Sequence, residues 1–449
     1  MSQQEVSLPP LALSRTPIVG DNAFDGDKLG RRELAGRLTS YIDRLREGAV
    51  LAIDAPWGEG KTWFGRNWAK HLEVQGHKVV FIDAFEHDYI EDPFLLISAE
   101  ISEVLDDGQG SSKGLREKAA GVMKAILPVS TKALINLAGR AAIGSSDLAG
   151  DFKEAAEAAR DDVSEVAMKW VEKKLEEFSQ EKASLQHFRV ELARFATAQE
   201  RPVVFFIDEL DRCRPVFAVR LIERLKHFFD VPNLVFVLLL NRDQLEQAVK
   251  GVYGPDTQAT IYLGKFVNFF FRLPKRTSYK FISDDHIKVY IDHVFSRYEF
   301  GYSPDNKGFN DTLAAIATGF NLSLRDIEKA VALYAFAQPV HFAHHILAYF
   351  IVLKIKEPNI YVGMINNNID KIMLSEKIIA DIVDAMTVSG ITVPRIIKVL
   401  QQLHKAQITG FKEVGEELDQ YLKHLWQYHF EVENLFSMLA QKIDIPLEV

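Results

Sequence analysis

The sequence predicts an α/β fold in which a mostly parallel sheet carries a helical insertion and is followed by an all-α C-terminal region. Three observations predict it. Short runs rich in Val, Ile, Leu and Phe recur at VLAID (50–54), KVVFID (78–83), VVFFID (203–208) and LVFVLLLN (234–241), and such continuous apolarity suits strands buried on both faces of a sheet. Helical patterns lie between and around these runs, and strands alternating with helices form parallel sheets. More than a hundred residues separate the second run from the third, far beyond an ordinary crossover, so a helical insertion must sit between them.

Taken in order, RRELAGRLTSYIDRLREG sets Leu34, Leu38, Tyr41, Ile42 and Leu45 at helical spacing, with Gly48 as the stop. The insertion is placed at 108–198, opening at the turn-like DDGQGSSKG. Its first half is apolar, yet Lys124, Lys132 and Arg140 cut it into uncharged pieces of seven residues. A membrane span needs about 18 to 20. This half therefore reads as a buried or interfacial helix, with a membrane-lying amphipathic helix as the alternative. Its second half, with Val163, Val166, Met168, Trp170, Val171, Leu175 and Phe178 among Ala, Glu and Lys, reads as long amphipathic helices. FVNFFFRLP, ended by Pro274, is a candidate fifth strand. Beyond it the pattern is helical to the end. Residues 330–353 contain no Asp, Glu, Lys or Arg, but three histidines and a Gln338-Pro339 pair favour two core helices over a bilayer crossing. The resulting division is 1–107 and 199–275 for the two parts of the sheet domain, 108–198 for the insertion and 276–449 for the C-terminal helices.

The 449 residues suffice for two or three globular units at about 100 to 200 residues each. Lys+Arg 53 against Asp+Glu 62 gives a formal net charge of -9, which argues against general coating of nucleic acid or anionic lipid while leaving room for one local basic patch. A single cysteine, Cys213, excludes an intramolecular disulfide framework and a cysteine-based metal site, which makes a reducing compartment, the cytoplasm, the expectation. The N-terminal stretch has neither a basic leader nor a long apolar run and reads as a loose tail.

Directly after the first strand comes Ala55-Pro56-Trp57-Gly58-Glu59-Gly60-Lys61-Thr62, followed by a helical pattern. This is the G-x-x-x-x-G-K-[ST] phosphate loop with its first glycine replaced by Ala55. Gly58 and Gly60 let backbone N–H groups turn inward around phosphate oxygens, and the helix N-terminus adds its partial positive charge. Lys61 reaches terminal phosphates and Thr62 sets a hydroxyl on Mg²⁺. Ala55 costs little if its φ is negative and about a kcal/mol or more if it is positive. Glu59 puts a carboxylate beside an anion site and is expected to point to water. Trp57 and Trp63 flank the turn and complete the candidate nucleotide-binding set.

The third strand ends in Ile207-Asp208-Glu209. Asp208 at the tip of a buried strand can hold Mg²⁺ through water, and the adjacent Glu209 can orient and deprotonate an attacking water. The fourth strand ends in Asn241, which either holds the lytic water near a terminal phosphate or merely opens the turn into RDQLEQAVKGVYG. No N-K-x-D element that reads guanine occurs, so adenine is the expected base.

These landmarks give the chain a resemblance to the KAP family of P-loop NTPases, which includes phage-exclusion proteins of bacterial plasmids. Four of them match in order: DKLGRRELAGRL, APWGEGKT, FFIDELDRCRP, and NRDQLEQAVKGVYG with IYLGKFVNFFFRLP. The resemblance implies a P-loop NTPase sheet of the ASCE type. It also implies an ATPase centre of Lys61, Thr62, Asp208 and Glu209, with ATP and Mg²⁺ as cofactors. Arg325 is implied to reach the phosphates from a lid helix capped by Ser323 and Asp326, although Leu324 stands where the family prefers proline. Arg212 and Arg214 either act in trans on a neighbour's nucleotide or form a salt-bridging turn. Many bacterial relatives thread membrane helices through the insertion. The short uncharged pieces here suggest a branch without them, in which the insertion or the C-terminal helices meet a second copy or a partner effector.

Two lesser signals have plainer readings. His341, His344 and His345 have metal-compatible spacing but no neighbouring carboxylate, which favours a helix surface or core. Cys213 reads as a small packing residue. The expected function is an ATP-driven switch in antiphage defence, against a non-hydrolysing nucleotide-bound scaffold and a DNA-stimulated ATPase.

Overall fold

The computed structural model describes residues 20–90, 188–228, 231–274, 286–298, 304–337, 343–388, 392–412, 414–425 and 434–444, with isolated positions besides. Five strands, β1 (Ala49–Asp54), β2 (Val79–Asp83), β3 (Val203–Asp208), β4 (Leu234–Leu240) and β5 (Phe269–Arg272), form one sheet in the order β2-β3-β4-β1-β5. Every pairing is parallel. The register sets Asp54 opposite Leu240 and Asp208 opposite Leu239, which brings the carboxyl ends of β1, β4 and β3 to one level. A strand thus stands between the loop-bearing strand and the acidic one, as the ASCE arrangement requires.

Apolar continuity explains the three central strands, whose residues are buried on both faces except for Asp54 at the tip of β1. It does not hold at the edges. β2 alternates between buried and half-buried positions and β5 is largely open, because each has a strand on one side only. One face is covered by α1 (Arg31–Ile42) and α2 (Lys61–Val74), whose Leu38, Ile42, Phe64, Trp68 and Leu72 pack on Leu51, Ile53, Phe206 and Leu239. Gly65 lets α2 approach this closely, since a Cβ there would lie 2.1 Å from Leu239 Cδ1. α1 stops at Ile42, short of the expected Gly48. The next side chain, Asp43, is drawn toward the sheet by Arg201 at 2.9 Å and His77 at 3.2 Å. The other face carries helical residues 188–197 with α3 (Pro215–Leu225), α4 (Arg242–Tyr253) and the short α5 (Ala259–Leu263).

Nine further helices follow among the described residues: α6 (His286–Arg297), α7 (Pro304–Ala317), α8 (Leu324–Phe336), α9 (His344–Lys356), α10 (Pro358–Ile365), α11 (Ile369–Val388), α12 (Arg395–Ile408), α13 (Glu416–Leu425) and α14 (Leu435–Ile443). They share one apolar core centred on α9, whose residues from Ile346 to Leu353 are wholly buried. The charge-free stretch 330–353 falls on α8 and α9, as two core helices. No described helix is long and apolar enough to cross a membrane.

His344 and His345 diverge from each other. His344 contacts Tyr334 Oη at 3.1 Å and Asp305 at 3.3 Å, while His345 meets Thr312 Oγ1 at 2.8 Å. They do not converge on one point, and no metal-ligating cluster forms among the described residues. His341, the N-terminal tail and the insertion, apart from 186 and 188–198, lie outside those residues.

Candidate nucleotide-binding site

Residues 55–60 turn from the tip of β1 into the first turn of α2. Gly58 and Gly60 take φ of +84° and +74°, a region that suits glycine alone without strain. Ala55 is not among the positive-φ residues and is 1% exposed, with its N–H donating to Leu240 O at 3.2 Å. The missing first glycine therefore costs nothing. Neither Gly58 nor Gly60 donates its N–H to a backbone carbonyl among the described residues. Lys61 Nζ folds back to Ala55 O at 2.7 Å and Pro56 O at 3.3 Å. Burial pushes its pKa down, opposed chiefly by Asp211 and Asp208.

A residue to which the sequence reading gives no role braces this turn from behind. Arg31, at the start of α1 and 1% exposed, donates to Glu59 O at 2.7 Å and Gly60 O at 3.3 Å. Burial lowers its pKa to about 10, against the pull of the Glu59 and Asp27 charges. This arginine also corrects the expectation for Glu59. The Glu59 side chain does not point to water but is 2% exposed, with its charge set against Arg31.

The acidic pair stands at the end of β3. Asp208 is 1% exposed, and burial drives its pKa up to about 7 despite the Thr62 hydroxyl and the Glu209 N–H, which donates to Oδ1 at 2.9 Å. Its Oδ2 is buried without a hydrogen-bond partner among the described residues. An orphaned carboxylate oxygen beside the Thr62 hydroxyl fits the oxygen-donor chemistry of a hard divalent cation. Glu209 follows in the left-handed region at φ +58°, a conformation that costs a residue with a side chain about 1 to 3 kcal/mol and clusters at functional sites. Burial raises its pKa, opposed first by Arg212, which pairs with it at 2.9 Å, and less by Arg325. Asn241 lies between the two motifs as expected, at the end of β4, and makes no side-chain cap to α4. Its neighbour Arg242 donates its N–H to Asp54 at 2.9 Å instead.

The start of α8 reaches the turn from the C-terminal side. Ser323 caps α8 and exchanges hydrogen bonds with Asp326 at 3.2 and 3.1 Å, the expected capping box. The N–H of Arg325 donates to Gly58 O at 3.1 Å. Leu324, where the family has proline, lies over Gly60.

The remaining candidates divide. Trp57 donates its Nε1–H to Asp211, which ties the turn to the residues after the acidic pair. Trp63 sits in the first turn of α2 with its ring edge-on to Phe24 at 5.8 Å. Arg212 is engaged with Glu209, and Arg214 bonds Asp88 through its N–H at 3.0 Å and through its guanidinium. Both arginines are thus salt-bridged within the chain. Cys213 is buried, its Sγ is 3.6 Å from Glu209 O, and burial among carboxylates pushes its pKa to about 12. It packs as an inert thiol.

No curated protein matches the chain. Among solved structures it is similar to the ORC2 protein of Aeropyrum pernix. The ADPNP-ADP complexes match at 13% identity and a TM-score of 0.34, and the ADP form at 12% and 0.33, each covering 98% of this chain and 96% of the other. Similarity at that level fixes neither fold nor ligand. The model of the KAP family P-loop domain matches residues 31–337, from the first residue of α1 to the residue after α8. That span takes in the glycine turn, the acidic strand end and the capped helix α8, and the chain belongs to the KAP family of P-loop NTPases.

Proposed function

We propose that this chain binds and hydrolyses magnesium ATP between the turn at Trp57 to Thr62 and the strand end at Asp208 and Glu209, and works as a switch. The observation that carries the reading is the approach of the Thr62 hydroxyl to the buried Asp208 carboxylate, whose Oδ2 has no hydrogen-bond partner among the described residues. In this reading Gly58 and Gly60 turn their N–H groups toward the phosphates and Lys61 exchanges its carbonyl partners for the terminal phosphate. Thr62 and Asp208 hold the magnesium ion, which when bound neutralises charge on the phosphate oxygens. Glu209 takes the proton of the attacking water, Asn241 orients that water, and Arg325 reports the terminal phosphate to α8.

The work of such a switch is a change of shape or assembly, passed to a second copy or a partner effector through the insertion or the C-terminal helices. The biological setting we infer from the family resemblance is antiphage defence in the bacterial cytoplasm. A protection assay with Lys61→Ala cells tests that setting, which fails if they resist phage as well as wild type.

Phosphate release by wild type and Glu209→Gln tests the chemistry. Loss of a general base lowers turnover by about 100-fold or more, and the variant should retain bound ATP. One observation favours a second reading, a nucleotide-bound scaffold: the ion pair with Arg212 occupies the carboxylate that hydrolysis needs. Equal, near-zero release by both proteins with nucleotide retained would select the scaffold.

A further inference from the structure

Besides the Thr62 hydroxyl at Asp208, another side-chain bond crosses from the phosphate turn to the end of β3. The Trp57 indole donates its Nε1–H to Asp211, 154 residues further along the chain. Thr62 stands where the turn enters α2 and Trp57 nearer its β1 end. The gap between the turn and the acidic strand end is therefore bridged at both ends of the turn.

Trp57 is 46% exposed, so packing alone does not fix its ring, and an indole N–H serves only as a donor. Asp211 has less freedom. It sits in the short helical turn Leu210–Arg212, where Leu210 is wholly buried. Backbone bonds hold that turn, from Arg212 N–H to Glu209 O at 3.0 Å and from Cys213 N–H to Leu210 O at 3.4 Å. Asp211 is thus carried on the same pinned segment as Glu209. Its Oδ1 is buried without a hydrogen-bond partner among the described residues, which leaves the bond from Trp57 to hold the side chain. Among the charges around Lys61, that of Asp211 acts most strongly, ahead of Asp208. One carboxylate therefore meets the turn twice, by a bond at Trp57 and by charge at Lys61.

We propose that Asp211 is a positioning residue for magnesium ATP: through Trp57 it holds the phosphate turn at one separation from the strand end, so that Thr62 and Asp208 meet a single cation. This role rests on the nucleotide reading above and adds to it a residue that acts without touching nucleotide or metal. Removing groups that orient the ligands of a metal changes its affinity about 10- to 100-fold.

The test is calorimetric titration of the full chain with adenylyl imidodiphosphate, with and without magnesium. The quantity read is the factor by which magnesium tightens binding, which a general loss of packing would leave in place. In Trp57→Phe and in Asp211→Ala this factor should fall about tenfold or more below wild type. Asp211→Asn keeps a carbonyl acceptor for the indole and should retain most of it. The double variant Trp57→Phe/Asp211→Ala should lose no more than the worse single variant, because both remove the same bond. If Asp211→Ala does not fold, Trp57→Phe and Asp211→Asn carry the comparison. Asp211→Asn as poor as Trp57→Phe, additive losses in the double variant, or an unchanged factor in Trp57→Phe would overturn the proposal and leave the nucleotide reading standing. Absence of nucleotide binding by wild type would instead sink that reading, and this role with it.

Discussion

The backbone N–H of Arg325 donates to the carbonyl of Gly58 at 3.1 Å. This bond joins the first turn of α8 to the glycine turn that follows β1. α8 therefore cannot tilt without freeing or dragging that carbonyl.

Gly58→Ala should break the coupling. A Cβ there would lie 2.7 Å from Ser323 Oγ and 3.0 Å from Arg325 Cβ, on a backbone at φ +84°. Gly76 is the control, with φ +89° and nothing within 4 Å of its Cβ position. Both alanines should lower stability by about 1 to 2 kcal/mol through backbone strain. Only Gly58→Ala should also weaken nucleotide binding by at least tenfold, as measured by calorimetry. Equal binding in the two variants would disprove the steric argument.

Arg31 is the second test. Removing its guanidinium leaves two buried carbonyls without their donor and the Glu59 charge without its counter-charge. Leaving buried acceptors without a donor costs about 1 to 3 kcal/mol. Arg31→Met should lower the chemical-denaturation midpoint strongly and reduce nucleotide affinity. Arg31→Lys keeps the charge without the two-pronged geometry and should recover stability in part while binding stays weak. Full recovery of binding in Arg31→Lys would show that charge alone matters.

For Arg212 the ion pair with Glu209 at 2.9 Å predicts action within its own chain. Mixing Arg212→Ala with Lys61→Ala, each defective by itself, should give no more phosphate release than the sum of the two. Restored turnover in the mixture would show that this arginine serves a neighbouring copy.

The helical region should be acid-sensitive through His404. Its ring is wholly buried against Tyr349 Oη at 2.8 Å, and burial lowers its pKa from 6.5 to about 4. The unfolded chain binds a proton that the folded chain refuses, so the full contribution to stability holds above about pH 6.5. It falls as pH drops toward 4, by up to about 3 kcal/mol. Denaturation midpoints between pH 7 and 4.5 should decline less steeply in His404→Gln than in wild type, and parallel slopes would refute the assignment.

Much of this was legible in the residues because it is local. VVFFID and LVFVLLL read as central strands since burial on both faces demands unbroken apolarity. Ser323 and Asp326 announced a capping box at their own spacing. What stayed hidden depends on partners distant in the chain. Glu59 looked solvent-bound because a carboxylate beside an anion site needs water or a counter-charge, and Arg31 supplies that charge only after folding. Arg212 left two roles open until its pairing with Glu209 was visible. The alternating burial of β2 follows from its place at the sheet edge, a matter of topology that five residues cannot encode.

Because Arg31 and Glu59 are both sunk beneath the turn, neither position can drift alone. A neutral residue at one strands its opposite in a medium that punishes lone ions. Homologous sequences should therefore alter the two sites jointly or keep both, a signature of epistasis. Anyone recoding this turn toward an uncharged version would need a simultaneous exchange in α1.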